Sequence, residues 1–456
     1  MAKPYNVEEF FKTDVPAYGA YDLTRKCCSY IDGMKISMRK IIFTFMEEYP
    51  NAKEKIKTET VANFCAAKTN YLHGAQNLCG VCDTLAQSFV GSNNYPFLIG
   101  NTGGFGNRIN TECAAPRYTK IMLSPLVKKL LNTDDCAITD RQFFEGDYIE
   151  PKFYVPVFPM VFLNGSSGIS IGFGQDIYPR NPAEICEYIK KKLSGVEKPR
   201  MELLPWFKGF LGKVECNKDT GIVECFGVFT KNNMTSYTVT ELPIGMEPNK
   251  YVEILDALEE RGVIVGYKNK SSTKSSTLCY EIKTTRDFTK KHSTDRKVYE
   301  ALRLIKTLPE NYVCIDETNK VKKFESVQDI LDTFIDFRLK FYDKRKAYIL
   351  KKLKSNIEQD ASRYLFCSGI IKKTIKVSNV KKEDIIAQLD KFDKIIKIDG
   401  TYDYLLRMPI HSVTKERMEE LKKQIEANKA KFNAIKAMTI QNMWTADLAD
   451  LKKEFN

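Results

Sequence analysis

At 456 residues, with 43% hydrophobic and 28% charged side chains, the chain is long enough for two to four domains and can bury a sizeable core. Its 71 Lys and Arg against 58 Asp and Glu leave a formal charge of +13, a bias toward polyanionic partners that ribosomal and membrane-surface proteins share. The longest apolar run, Phe153 to Leu163, is broken by Pro156 and Pro159 and falls well short of the ~20 residues a spanning helix needs, so no membrane span is expected.

The chain opens Met1-Ala2-Lys3-Pro4-Tyr5 and continues into Glu8 and Glu9 instead of an apolar signal core, which argues against export. Thirteen Cys, an odd number scattered from Cys27 to Cys367, read as reduced thiols. A cytoplasmic setting follows, that of the host if the chain is viral.

Residues 1–145 mix short helical patterns with Gly-rich turns. Asp32-Gly33 marks a turn before the basic segment Lys35 to Lys40, which runs into Ile41-Ile42-Phe43 and predicts a helix that could enter a nucleic-acid groove or present an ordinary solvated face. Cys79 and Cys82 are three residues apart, but no second pair stands at zinc-finger spacing and the His residues are His73, His292 and His411 alone. They read as two packed thiols on a helix, and no metal site is assigned.

The most informative stretch is Ala114-Ala115-Pro116-Arg117-Tyr118. A phenol, with an unperturbed pKa of ~10, is a poor nucleophile near neutrality. A neighbouring guanidinium could grip a phosphodiester and stabilise charge as it builds there, leaving Tyr118 to attack phosphorus.

From 146 to 325 the pattern shifts to short strands and loops. The runs Gly221 to Val228 and Ser236 to Thr240 alternate and are rich in β-branched residues, and the polar tract Lys268 to Ser276 reads as a mobile loop between strands. From 326 to 456 the chain reads as helical. Ser326 with Asp329 gives a capping-box-like start, followed by Ile330, Phe334, Phe337 and Phe341 at helical spacing. After His411-Ser412-Val413-Thr414, positions Met418, Leu421, Ile425, Asn428, Phe432 and Ile435 alternate steps of three and four, a heptad seam in which the polar Asn428 helps to fix register. Two long helices with a small globular tip between about Phe366 and Met408 are expected.

The blocks Asp32-Gly33-Met34-Lys35, Arg39-Lys40, Tyr71-Leu72-His73-Gly74, Gly103 to Arg108, Arg117-Tyr118 and Asn164 to Ile169 are, in order and approximate spacing, similar to the breakage-reunion core of type IIA DNA topoisomerases. The resemblance extends from about Tyr21 to Leu451. Phe89 to Asn94, Pro205 to Gly209, Thr240 to Pro243 and Trp444 to Leu448 look closer to eukaryotic topoisomerase II than to the A-type chain of gyrase. A chain with its own Met1 just ahead of the core resembles the medium subunit found in T-even-like bacteriophages, where the ATPase and metal-binding parts sit on a separate large subunit.

The resemblance implies an α+β multidomain fold: a winged-helix DNA-cleavage domain (1–145), a β-rich tower domain (146–325), and a long coiled-coil arm with a helical tip that forms the exit gate of a homodimer (326–456). It implies Tyr118 as the nucleophile, Arg117 as its phosphate-gripping neighbour, and Arg39 and His73 as further catalytic contacts to the scissile phosphate. Lys35, Lys40 and Arg108 would contact the DNA backbone, and Ile169 would insert between base pairs of double-stranded DNA and bend it. Bacterial relatives carry a second His just before the one matched by His73; here Leu72 stands in its neighbourhood.

The family's acidic metal cluster has no counterpart in this chain, and Gly100-Asn101-Thr102-Gly103-Gly104 lacks the Lys-Ser/Thr of a phosphate loop. Mg²⁺ and ATP are therefore expected on the partner large subunit. Two other readings stand beside this one: a catalytically idle DNA-binding scaffold of the same architecture, and a tyrosine-dependent recombinase or nicking enzyme, whose usual extra His and Arg residues are not apparent.

Overall fold

The computed structural model describes residues 6–409 and 413–455; His411 lies outside the described residues. The chain divides into two compact units, residues 1–338 with 447–456, and residues 339–446.

In the first unit, α1 (Val7–Lys26), α2 (Ile36–Glu48), β1 (Ile56–Lys57), α3 (Thr58–Lys68), α4 (Ala75–Ala86), β2 (Leu98–Gly100) and β3 (Lys120–Leu123) come first. Helices α2, α3 and α4 pack on one another, and the strands form an antiparallel sheet in the order β1-β3-β2. Helix α2 differs from its expected role. Seven consecutive residues, Arg39 to Phe45, are buried, so the middle of the helix is internal, with only its first turn half-buried and its last residues exposed. Cys79 and Cys82 are buried on α4.

Next follow α5 (Pro125–Leu130), α6 (Thr133–Cys136), the hairpin β4 (Arg141–Phe144) and β5 (Asp147–Pro151), α7 (Val161–Asn164), the hairpin β6 (Ser166–Ser170) and β7 (Phe173–Ile177), and α8 (Pro182–Leu193). The Pro-broken apolar run supplies core: Tyr154, Val155, Phe158 and Met160 to Leu163 are all buried. Gly168 sits where a Cβ would lie 2.0 Å from the Lys26 carbonyl oxygen, so only glycine lets the β6–β7 hairpin close on the end of α1.

The β-rich part contains β8 (Lys213–Cys216), β9 (Val223–Phe226), β10 (Val228–Asn233), β11 (Ser236–Glu241), α9 (Pro248–Glu260), β12 (Gly266–Asn269), β13 (Tyr280–Lys283), α10 (Arg286–Lys291), α11 (Asp295–Ala301), β14 (Ile305–Thr307), β15 (Val313–Ile315) and β16 (Val321–Lys323). The alternating run that reads as one strand from Gly221 to Val228 is two. β9 lies in the sheet β14-β9-β8 and β10 in the sheet β10-β11-β13-β12. The chain steps between sheets at Gly227, where a Cβ would meet the Glu241 carbonyl oxygen at 2.4 Å. Tyr237, Val239, Tyr251, Leu255, Tyr280 and Ile282 form the core beneath the four-stranded sheet.

Helix α12 (Val327–Ile371) starts as its sequence predicts. The Asp329 N–H donates to Ser326 Oγ at 3.2 Å, and the Asp329 carboxylate accepts from the Glu325 N–H at 3.2 Å. Its opening turns belong to the first unit. Arg338 donates to both Asp135 oxygens, at 3.0 and 2.6 Å, and Asp332 accepts from the Tyr188 hydroxyl at 2.9 Å, so the start of α12 packs within the first compact unit, which runs to Arg338.

The second unit holds the rest of α12, then α13 (Lys382–Leu389), α14 (Asp403–Leu406), α15 (Lys415–Ala437) and the start of α16 (Ile440–Leu451). Phe366, Ile375, Leu389, Ile395, Tyr402 and Leu405 form a small separate core at the expected tip. On α15 the heptad positions are the shielded ones: Leu421 is buried, Met418, Ile425, Asn428, Phe432 and Ile435 are half-buried, and the residues between them are exposed. Trp444 is fully buried and stacks on Tyr342 with centroids 5.4 Å apart.

Candidate functional site

Tyr118 closes a tight turn in which its N–H donates to the Ala115 carbonyl at 2.8 Å. The following residue is fixed: Thr119 is fully buried, its hydroxyl donates to Thr58 Oγ at 2.7 Å, and its carbonyl accepts from the Thr58 N–H at 3.0 Å. Asn101 then clasps Lys120 through the Lys120 N–H at 2.7 Å and the Lys120 carbonyl at 3.0 Å. A rigid strand start thus carries a displayed phenol, since Tyr118 is 70% exposed and the Arg117 guanidinium stands 5.3 Å from its ring centroid. The pair is prearranged for an anionic ligand, because a cation held over the ring also faces whatever approaches the hydroxyl.

Ile169 is 84% exposed near the tip of the β6–β7 hairpin, with Ile171 and Phe173 also exposed beside it. Three solvated apolar side chains on one short hairpin are costly to leave in water, and they suit insertion into a stacked ligand. The hairpin is braced from both sides. Ser170 Oγ donates to the Asp22 carboxylate at 2.6 Å, and Lys35 Nζ donates to the Ser167 carbonyl at 2.6 Å. Burial lowers the Lys35 pKa from the ordinary lysine value.

Three cations expected at phosphates are held in internal ion pairs. Arg39 is buried and grips Asp32, with Nε at 2.7 Å from Oδ2 and Nη2 at 3.1 Å from Oδ1. Lys40 is buried against Glu150 at 2.9 Å and donates to the Thr69 carbonyl at 2.8 Å. Arg108 is buried against Glu241 at 3.3 Å. Each of these cations is already enclosed with a carboxylate, so a contact with phosphate would have to compete with an internal ion pair.

His73 is exposed and its Nε2 lies 2.5 Å from the Tyr21 hydroxyl, the two rings stacked at 5.9 Å. Its pKa is lowered, first by partial loss of hydration and then by the Arg25 guanidinium. Arg25 also lies 5.7 Å from the Tyr21 ring and works against the burial that raises the Tyr71 phenol. A 490 Å³ cavity is lined in part by Tyr21, Arg25, Lys35, Lys40, Tyr71 and Leu72; Tyr118 is not among its lining residues. Sequence reading misses Arg25 and Tyr21, which sit on a helix of weak pattern and meet His73 only through folding. Tyr71 stands in view inside the Tyr-Leu-His-Gly block.

The α+β fold that carries this site matches a solved protein. The structure of the Plasmodium falciparum topoisomerase II DNA-binding, cleavage and re-ligation domain superposes with a TM-score of 0.88 at 28% identity, covering 98% of this chain and 64% of that one. The architecture is that of a type IIA topoisomerase core. The chain belongs to the A-subunit family of DNA gyrase and topoisomerase IV, whose model matches residues 25–449. It is 31% identical over 456 residues to DNA topoisomerase 2 of Invertebrate iridescent virus 6 and 30% identical over 465 residues to the mitochondrial DNA topoisomerase 2 of Dictyostelium discoideum. These alignments take in 98% and 99% of this chain but 39% and 35% of those proteins, so the chain spans somewhat over a third of their length.

Proposed function

We propose that this chain is the DNA-cleaving and religating subunit of an ATP-dependent type IIA topoisomerase, making a transient double-strand break through which a second duplex passes. The observation that carries this reading is the prearranged pair of an exposed Tyr118 and the Arg117 guanidinium 5.3 Å from its ring. The Tyr118 oxygen forms a bond to phosphorus as the bond from phosphorus to a deoxyribose oxygen breaks. The phenol loses its proton and the departing oxygen gains one. The broken end stays attached, and resealing is the reverse displacement. Arg117 holds the phosphate, and His73, neutral near pH 7, is placed to accept or relay a proton.

In this reading, the three helices and small sheet around Tyr118 act as the winged helix, the β-rich region as the tower, and α12 with α15 as a coiled-coil arm. Ile169 is the wedge that unstacks a base step, and Lys35 contacts the backbone from beside it. Arg39, Lys40 and Arg108 act by holding the frame.

Among the described residues, no group of three or more His, Cys, Asp or Glu is close enough to hold a metal ion. In this reading Mg²⁺ and ATP are held by a partner large subunit. Two nucleophiles for two strands call for a C₂ homodimer joined in part through the tip. Among the described residues, no helix is long and apolar enough to cross a membrane.

The test is denaturant trapping of a covalent protein–DNA adduct in the presence of Mg²⁺ and the partner large subunit. An adduct that maps to Tyr118 supports the reading, and its absence leaves an idle DNA-binding scaffold. Sedimentation that finds only monomer with DNA and partner present overturns the double-strand mechanism.

A further inference from the structure

The β6–β7 hairpin that displays Ile169 is fixed from its inner face by the side chain of Gln175. Strand register sets the geometry: Ile169 lies opposite Gly174, and Gly168 lies opposite Gln175. Successive residues of a strand face opposite ways, so Gly168 and Gln175 share the face turned away from Ile169. That face is the inner one, since Gly168 closes on the Lys26 carbonyl and Gln175 is only 2% exposed.

The Gln175 amide has two donor hydrogens and an oxygen with two lone pairs, and all four are used. Oε1 accepts the Cys28 N–H at 3.0 Å and the Ser166 hydroxyl at 2.7 Å. Nε2 donates to the Val313 carbonyl and, at 3.6 Å, to Cys314 Sγ. Three segments that are distant in the chain meet on this one amide: the turn after α1, strand β6 and strand β15. Two of them are already joined to each other, because the Ile315 N–H donates to the Cys28 carbonyl at 3.0 Å. The hairpin therefore rests on a closed platform.

A two-stranded hairpin is marginal by itself, and a side chain that opens a base step works against a few kcal/mol of stacking. A hairpin free to tilt would yield before the stack does. A buried amide with every hydrogen bond made holds one orientation, whereas an apolar side chain of the same length fills the space without selecting one. We propose that Gln175 is a positioning residue for DNA bending, setting the angle at which Ile169 meets the duplex and acting only through that side chain. This rests on the wedge role given to Ile169 above.

The test is a double-mutant cycle on the full chain at saturating duplex, with the bend read by energy transfer. Gln175→Met, close to glutamine in length, should lower the ratio of bent to straight duplex by about three- to tenfold, as for the loss of roughly one net hydrogen bond. The salt dependence of binding should be unchanged. In an Ile169→Ala background the same substitution should have no further effect. Ser166→Ala removes one of the four bonds at a half-buried position and should give a smaller fall with the same dependence on Ile169; it decides the matter if Gln175→Met does not fold. A parent-like bend in these variants, while Ile169→Ala reduces it, overturns the proposal and leaves the wedge standing. An equal fold-loss in both backgrounds also overturns it, since that marks a general loss of structure. If Ile169→Ala itself bends DNA as the parent does, the wedge reading fails and this proposal falls with it.

Discussion

Arg39 and Asp32 form a bidentate ion pair that is almost wholly closed off from water: Asp32 is fully buried and Arg39 is 5% exposed. Asp32 also accepts the Met34 N–H and the Tyr154 N–H, both at 3.0 Å, so one carboxylate ties the turn before α2 to the apolar segment that enters the core. Removing one partner of such a pair leaves the other charge buried and uncompensated. Arg39→Ala should therefore lose about 3–5 kcal/mol of stability, read as a lower urea midpoint. Arg39→Lys should fall between, since a point charge cannot reproduce the fork. Parent-like stability in Arg39→Ala together with lost cleavage would return Arg39 to the phosphate.

Tyr118→Phe should leave folding and DNA affinity nearly intact, because the side chain is displayed to solvent and only the hydroxyl is removed. The covalent adduct should vanish. Arg117→Ala and His73→Ala should each slow cleavage at fixed DNA occupancy by roughly 10²–10³ if each supplies one charge-stabilising contact. Changes confined to affinity would make both residues mere positioners of the duplex.

Ile169→Ala removes an apolar side chain that is 84% exposed, so stability should change by no more than about 0.5 kcal/mol. The DNA bend measured by energy transfer should shrink and cleavage should fall with it. The salt dependence of binding should stay the same, since no counterion is released by an isoleucine. An identical bend in mutant and parent would remove Ile169 from the wedge role.

His73 has its pKa lowered in the folded chain, by partial loss of hydration first and by Arg25 second. The folded state thus binds this proton less readily than the unfolded state. Its contribution to stability is present above the ordinary histidine value of ~6.5 and is lost as pH falls through the lowered folded value. With three histidines in the chain, His73→Gln identifies the resonance by its disappearance. Arg25→Gln should move that titration upward but not fully back, because the loss of hydration remains. A His73 that titrates at the ordinary value in the parent would refute the arrangement.

Features that depend on neighbours along the chain are legible in the residues alone. The Ser326 and Asp329 cap and the α15 seam are local, since capping and heptad burial act within a few residues. Family blocks add the order of the site residues along the chain. Which cations are free is settled only by folding. Lys35, Arg39 and Lys40 look alike in one basic segment, yet their fates depend on Ser167, Asp32 and Glu150, and two of those partners lie more than a hundred residues away. The same holds for Arg25 and Tyr21 at His73, and for the step between sheets at Gly227. Charge burial and close backbone approach are set by three-dimensional neighbours, and the linear pattern carries no record of which carboxylate or carbonyl those will be.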